Sequence, residues 1–295
     1  MVGPFARRKV VECLKTEQCF SERHACRMVG VARSGLRYQP QGQPGEATLR
    51  KEVRHLARQH PRYGCLRITA LLRQKGLINK KRVHRIWKLE GLSLPRRRPK
   101  RRHHLGSNGV CRKPQRPNEV WSYDFLEDRT VRGGRLRLLC VLDEYTRECL
   151  SIRVERSMGS TEVIQMLEWL FLSRGVPAYI RSDNGPEFIA QKLKQWLAEN
   201  NCGTLYIEPG SPWENGYLES FNGKLRDECL NREIFSNGQE ARTVVEQWRK
   251  EYNEQRPHSA LGYVPPAQFA RRAWNLLRPT AFATSTHQPV QEAIL

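Results

Sequence analysis

The chain has 295 residues, 39% hydrophobic and 27% charged, which suits a folded protein of about two domains and argues against wholesale disorder. No run approaches the ~18 apolar residues of a membrane helix, the opening residues lack the apolar stretch of a secretion signal, and nine cysteines without C-x-x-C spacing argue against a disulfide framework, so a cytoplasmic protein is expected. Lys and Arg outnumber Asp and Glu 51 to 30, and the excess is confined: residues 1–117 hold 30 basic and 6 acidic side chains, a net +24, whereas residues 118–295 hold 21 and 24, a net −3. A field so placed points to a polyanion partner, and double-stranded DNA is the default reading.

Residues 1–45 read as helical. Val10, Val11 and Leu14 recur at helical spacing, Ser21 is placed to cap a helix over 22–29, Gly30 stops it, and Ser34 is placed to cap a short one carrying Leu36. Helix, glycine turn and helix make a helix-turn-helix rhythm, although a small packing hairpin would read the same way. A Pro/Gly/Gln stretch at 39–45 is a linker. Residues 46–94 form a second helical unit with three apolar stripes: Leu49, Val53 and Leu56; Ile68, Leu71 and Leu72; Val83, Ile86, Trp87 and Leu89. Arg67, Lys81, Arg82 and Arg85 are among the basic residues expected on its exposed sides, where they suit duplex DNA.

Residues 95–118 are a basic linker. Its core, PRRRPKRRHH, has two prolines and cannot make a core; Arg96, Arg97, Arg98, Arg101 and Arg102 are expected either to lie along a phosphate backbone or to be a solvated spacer. From residue 119 to 275 the pattern changes. Val120–Leu126 alternates, with Trp121, Tyr123 and Phe125 on one face and Asp124 on the other. Leu136–Leu142 reads as a central strand, Leu150–Val154 as a third, Ala178–Arg181 and Leu205–Ile207 as two more. Helices are expected from Ser160, over 187–200, from about 214 to 230, and over 239–252. The fold class is therefore α/β, a mixed sheet covered by helices, followed by a tail over 276–295.

Only five aspartates occur. Asp124 lies inside a strand among apolar residues, where a carboxylate is costly unless paired or bound to a cation. Asp183 lies just past a strand and precedes Asn184-Gly185, a tight-turn pair. Glu219 shares a polar helical stripe with Asn215, Asn222 and Arg226, spaced 4, 3 and 4 apart. Oxygen ligands without His or Cys suggest Mg²⁺ or Mn²⁺, and two such ions would support displacement at phosphorus.

Trp121–Asp124, SDNG at 182–185, SPWENGYLESF at 211–221 and YNEQRPHSALG at 252–262, with HPRYG at 60–64 upstream, together resemble the DDE transposases of bacterial insertion sequences, specifically the second-frame (OrfB-type) subunit with a retroviral integrase-like catalytic core. The resemblance implies a ribonuclease H-like fold in which the first and fourth strands lie side by side. It implies an Asp124, Asp183 and Glu219 triad that holds two metal ions, with Asp124 bridging them. It also implies a terminal-DNA contact at Arg226, for which Lys224 is the rival, and DNA cleavage followed by joining of a 3′ hydroxyl. The expected partners are the element's terminal repeats and target DNA, further copies of the chain on that DNA, and a first-frame (OrfA-type) product or frameshift fusion. Two other readings remain open: a non-catalytic partner or inhibitor that binds element ends, and a ribonuclease H-like nuclease.

Overall fold

Apolar alternation and helical stripes become eleven α-helices and five strands among the residues described by the computed structural model, which are 4–38, 45–76, 78–93, 113–183, 191–206 and 215–277. The chain divides into two compact units, 1–54 and 55–295.

In the first unit, α1 (Pro4–Thr16), α2 (Glu22–Val29) and α3 (Arg33–Arg37) close a small core around Val11, Ala25 and Cys26. Ser21 caps α2 by accepting from the His24 N–H, and Gly30 ends it in the left-handed region, φ 67, where a Cβ would be strained. Ser34 does not cap α3. It lies inside the helix, and the cap position belongs to Ala32, which makes no side-chain bond.

The boundary falls within α4 (Glu46–Gln59), whose Leu49, Val53 and Leu56 stripe is buried. In the second unit, α5 (Cys65–Lys75) packs on α6 (Lys80–Leu89), and Ile68, Leu72, Val83, Ile86 and Trp87 are all buried. Asn79 caps α6 through the Lys81 N–H.

The sheet has the order β3-β2-β1-β4-β5. Strands β1 (Val120–Arg129), β2 (Arg135–Asp143) and β3 (Cys149–Glu155) form an antiparallel meander. Strands β4 (Tyr179–Ser182) and β5 (Gly203–Tyr206) add to it in parallel, so the first and fourth strands are neighbours. Both faces are covered, as a largely apolar β2 requires. On one face Trp121, Tyr123, Leu139 and Val141 meet α7 (Ser160–Arg174) and α8 (Gln191–Glu199). On the other, Leu126, Leu138, Cys140 and Leu142 meet α9 (Gly216–Leu225) and α10 (Gly238–Glu254). The helix expected to run on to Leu230 changes at Arg226 into one π-helical turn, Arg226–Leu230. A last helix, α11 (Pro266–Leu277), packs on α10 and was not foreseen from the pattern.

Helix α7 begins at Ser160 as expected, and the Gly159 N–H before it donates to Glu162 Oε2 at 2.8 Å. Trp169 is 61% exposed because the side of α7 bearing Val163, Met166, Leu167 and Leu170 faces the sheet and turns it outward.

Candidate active site

Strand register brings the two aspartates together. In the parallel β1–β4 ladder Val120 faces Tyr179, Trp121 faces Ile180 and Ser122 faces Arg181. Continuing that step sets Asp183, the residue after β4, beside Asp124, one strand spacing of ~4.8 Å away. Asp124 lies on the face covered by α9, and the Asn222 amide on that helix donates to Asp124 Oδ2 at 2.9 Å. Glu219 sits one turn before Asn222 on the same side of α9. Helix α9 is held there by Leu218, Phe221 and Leu225, all buried against the sheet.

Asp124 senses both other acids. Its carboxyl is pushed up to about 6, first by burial and then by the neighbouring charges of Asp183 and Glu219, against the opposing bonds from the Phe125 N–H and Asn222. Asp183 and Glu219 themselves are exposed. Among the described residues, no three His, Cys, Asp or Glu side chains stand close enough to hold a metal ion as they are. The donor set still suits a hard cation. Three carboxylates converge electrostatically, and the buried amide oxygens of Asn215 and Asn222, on the same stripe, have no hydrogen-bond partner.

The other candidates are scattered. Arg226 is exposed and donates to the Glu127 carbonyl at 3.3 Å, so it lies against β1. Lys224 is half-buried and donates to Ser220 Oγ at 3.0 Å. Arg67, expected on an exposed face, turns inward instead, 3.5 Å from Glu228 and over the Tyr63 ring. Lys81 and Arg85 are exposed, and Arg82 is half-buried. Arg96, Arg97, Arg98, Arg101 and Arg102 lie outside the described residues.

Two motifs that resemble the family's upstream and downstream signatures meet each other. Arg62 of HPRYG pairs with Asp227, His60 Nδ1 lies 3.1 Å from Glu251, and the Tyr63 ring stacks on His60. Arg256, 1% exposed, makes a bidentate pair with Glu228 at 2.6 and 2.5 Å and packs against the rings of Tyr63 and Tyr252. Sequence spacing could not reveal this joint, because Arg62 and Asp227 are 165 residues apart. The local signal was a concentration of charge and aromatics in both segments.

Comparison with known proteins agrees with this architecture. The description "Integrase core domain" matches residues 114–212 and, in a second form, 200–266, while "HTH-like domain" matches 45–100, covering α4 to α6. The chain is 40% identical over 269 residues to "Insertion element IS407 uncharacterized 31.7 kDa protein" of Burkholderia multivorans, spanning 91% of this chain and 95% of that one. It is 29% identical over 236 residues to "Transposase InsD for insertion element IS2A/D/F/H/I/K" of Escherichia coli, spanning 75% and 77%. Among solved structures, the HTLV-2 integrase catalytic core domain in complex with magnesium aligns over 53% of this chain and 98% of that one, with TM-score 0.42 and 16% identity.

Proposed function

Because the chain belongs to the integrase-core transposases of bacterial insertion elements and has their ribonuclease H-like fold, we propose that it cleaves insertion-element DNA ends and joins them to a target strand. The observation that carries the reading is the crowding of Asp183 and Glu219 on the half-buried Asp124. A carboxylate raised by burial and by two neighbouring acids is unfavourable as a lone charge and becomes favourable beside a divalent cation.

Asp124, Asp183 and Glu219 would hold Mg²⁺ or Mn²⁺, two ions in the form implied by the family. Bound there, the metal would supply activation of a hydroxyl and charge stabilisation at phosphorus. The protein's own contribution is positional. The Phe125 N–H and the Asn222 amide fix the two oxygens of Asp124, and the apolar side of α9 fixes the height of Glu219 above the sheet. Cationic residues of the helical segment would bind duplex DNA, with Arg226 beside the reacting end. Since transposition brings two ends together, further copies of the chain on DNA are the proposed assembly, with a first-frame product or fusion as an additional partner.

The test is one reaction series with labelled element-end DNA, with and without Mg²⁺. The full chain should give joined product with Mg²⁺, and Asp183→Asn should lose joining by at least about a hundredfold while retaining end binding. Joining unchanged in Asp183→Asn would refute the assignment. Binding without product under any condition would favour a non-catalytic end-binding partner, and hydrolysis without joining would favour a nuclease.

A further inference from the structure

Strand β4 carries Asp183 past its last rungs: the β1–β4 ladder ends at Ser122 and Arg181, and the β4–β5 ladder at Ser182 and Tyr206. Arg181 stands two residues before Asp183, on the face of the sheet that bears Ser122 and Asp124. Asp183 follows it at i+2, and Asp124 lies on the diagonal of the neighbouring strand, where ~7–8 Å separates side chains and a long one can span the gap. The guanidinium turns the other way. Its Nε donates to Glu144 Oε1 at 2.9 Å.

Glu144 opens the β2–β3 turn, its own N–H donating to the Val120 carbonyl at 3.0 Å. Val120 and Asp124 lie on opposite sides of Ser122 along β1, so Glu144 draws the guanidinium down the strand and away from the acids. The turn is built to hold it there. Asp143 Oδ1 accepts from the Tyr145 and Thr146 N–H groups at 2.8 and 2.9 Å, and its Oδ2 accepts from the Asn118 N–H at 2.8 Å. Arg147 and Asp143 are the other charges beside Glu144. Glu144 is fully buried and Arg181 nearly so, and a buried charge is costly unless paired. Without the Glu144 charge, Arg181 has the site's own carboxylates to turn to.

We infer that Glu144 is a positioning residue of the acidic site: it anchors Arg181 on the Val120 side of Asp124 and Asp183, so that the counter-ion of the two aspartates is a divalent cation and not the protein's own guanidinium. The role rests on the transposase reading, in which these acids hold metal, and it adds a residue outside the triad that sets how readily they do so. Releasing the anchor leaves an internal cation to compete with the external one, which raises the metal concentration that the site needs. Removing Arg181 as well takes the competitor away. The second substitution should therefore undo the first.

Wild type, Glu144→Gln and the double variant Glu144→Gln/Arg181→Met are compared as full chains at pH 8, because burial raises the Glu144 carboxyl to about 7 and it must be charged in wild type. The first readout is the rise in melting temperature with Mg²⁺. Glu144→Gln should need at least about tenfold more Mg²⁺ than wild type for half of that rise, and the double variant should return to within about threefold. A merely structural pair predicts a double variant no better than the single one. That order, or an unmoved Glu144→Gln, would overturn the anchor. If Glu144→Gln does not fold, the double variant, which strands no buried charge, carries the test by itself: a requirement more than about tenfold above wild type would overturn the anchor.

A second readout needs neither metal nor DNA. Asp124→Asn in the wild-type background should raise the melting temperature at pH 8, because Asp124 is buried and crowded by Asp183 and Glu219. In the Glu144→Gln background that gain should fall by at least about half, since Arg181 then compensates the carboxylate. An undiminished gain would overturn the anchor. Failure of the proposed function looks different: wild type itself would show no Mg²⁺-dependent rise and no joined product, whereas failure of the anchor leaves both intact in wild type.

Discussion

Asp124 carries the least comfortable charge of the site. Its folded pKa of about 6 lies above the ordinary value near 4, so the stability it contributes is full below about pH 4 and is lost as pH rises through about 6. Asp124→Asn should therefore be more stable than wild type at pH 7.5, on the order of 2 kcal/mol, and this advantage should vanish below about pH 4. Urea unfolding at the two pH values checks it. The same carboxylate should respond to cation. Mg²⁺ should raise the melting temperature of wild type and leave Asp124→Asn unmoved, a readout that needs no DNA. Asn222 adds a second control, since its amide donates to Asp124 Oδ2 and orients it.

At the scale of elements, the feature that organises the second unit is the joint at the π-helical turn. Asp227 and Glu228 there receive Arg62 and Arg256, and Arg67 closes on Glu228 from α5. The turn continues α9, so the joint is mechanically connected to the helix that positions Glu219. A buried pair costs desolvation when it forms, but removing one partner costs more, because the other charge is stranded. Glu228→Gln should destabilise the protein by about 3–5 kcal/mol, whereas adding Arg256→Met to it should restore much of the loss. Chemical denaturation of the single and double variants tests both statements. The π turn itself departs from a continuous helix, and the residues it re-aims, Asp227 and Glu228, are the two that the joint uses.

For the whole molecule, the governing quantity is the separation of charge, +24 on residues 1–117 and −3 on the rest. Attraction to a polyanion then falls mainly to the first part, and repulsion by the acidic site stays local. Duplex affinity of the full chain should fall steeply with salt. Replacing Arg96, Arg97, Arg98, Arg101 and Arg102 by Gln should flatten the slope by about 0.9 for each phosphate no longer neutralised. An unchanged slope, read by fluorescence anisotropy over a salt series, would make residues 95–102 a spacer.

Strand and helix identity were legible because they depend on local spacing. Alternation around Asp124, the apolar run of β2, Ser21 before α2 and Gly30 after it all act within a few residues, and the family motifs identified the fold to which they belong. Long-range partnership was not legible. That Arg67 turns inward to Glu228, that His258 is buried among cations, and that Arg62 meets Asp227 depend on which surfaces pack, and no periodicity encodes a pairing across 165 residues. The residue types at the candidate site could be chosen from sequence by the cost of a carboxylate in an apolar strand. The degree to which those carboxylates crowd one another was decided by parallel register and by the seating of α9, because electrostatic coupling depends on distance and burial, which only tertiary structure sets.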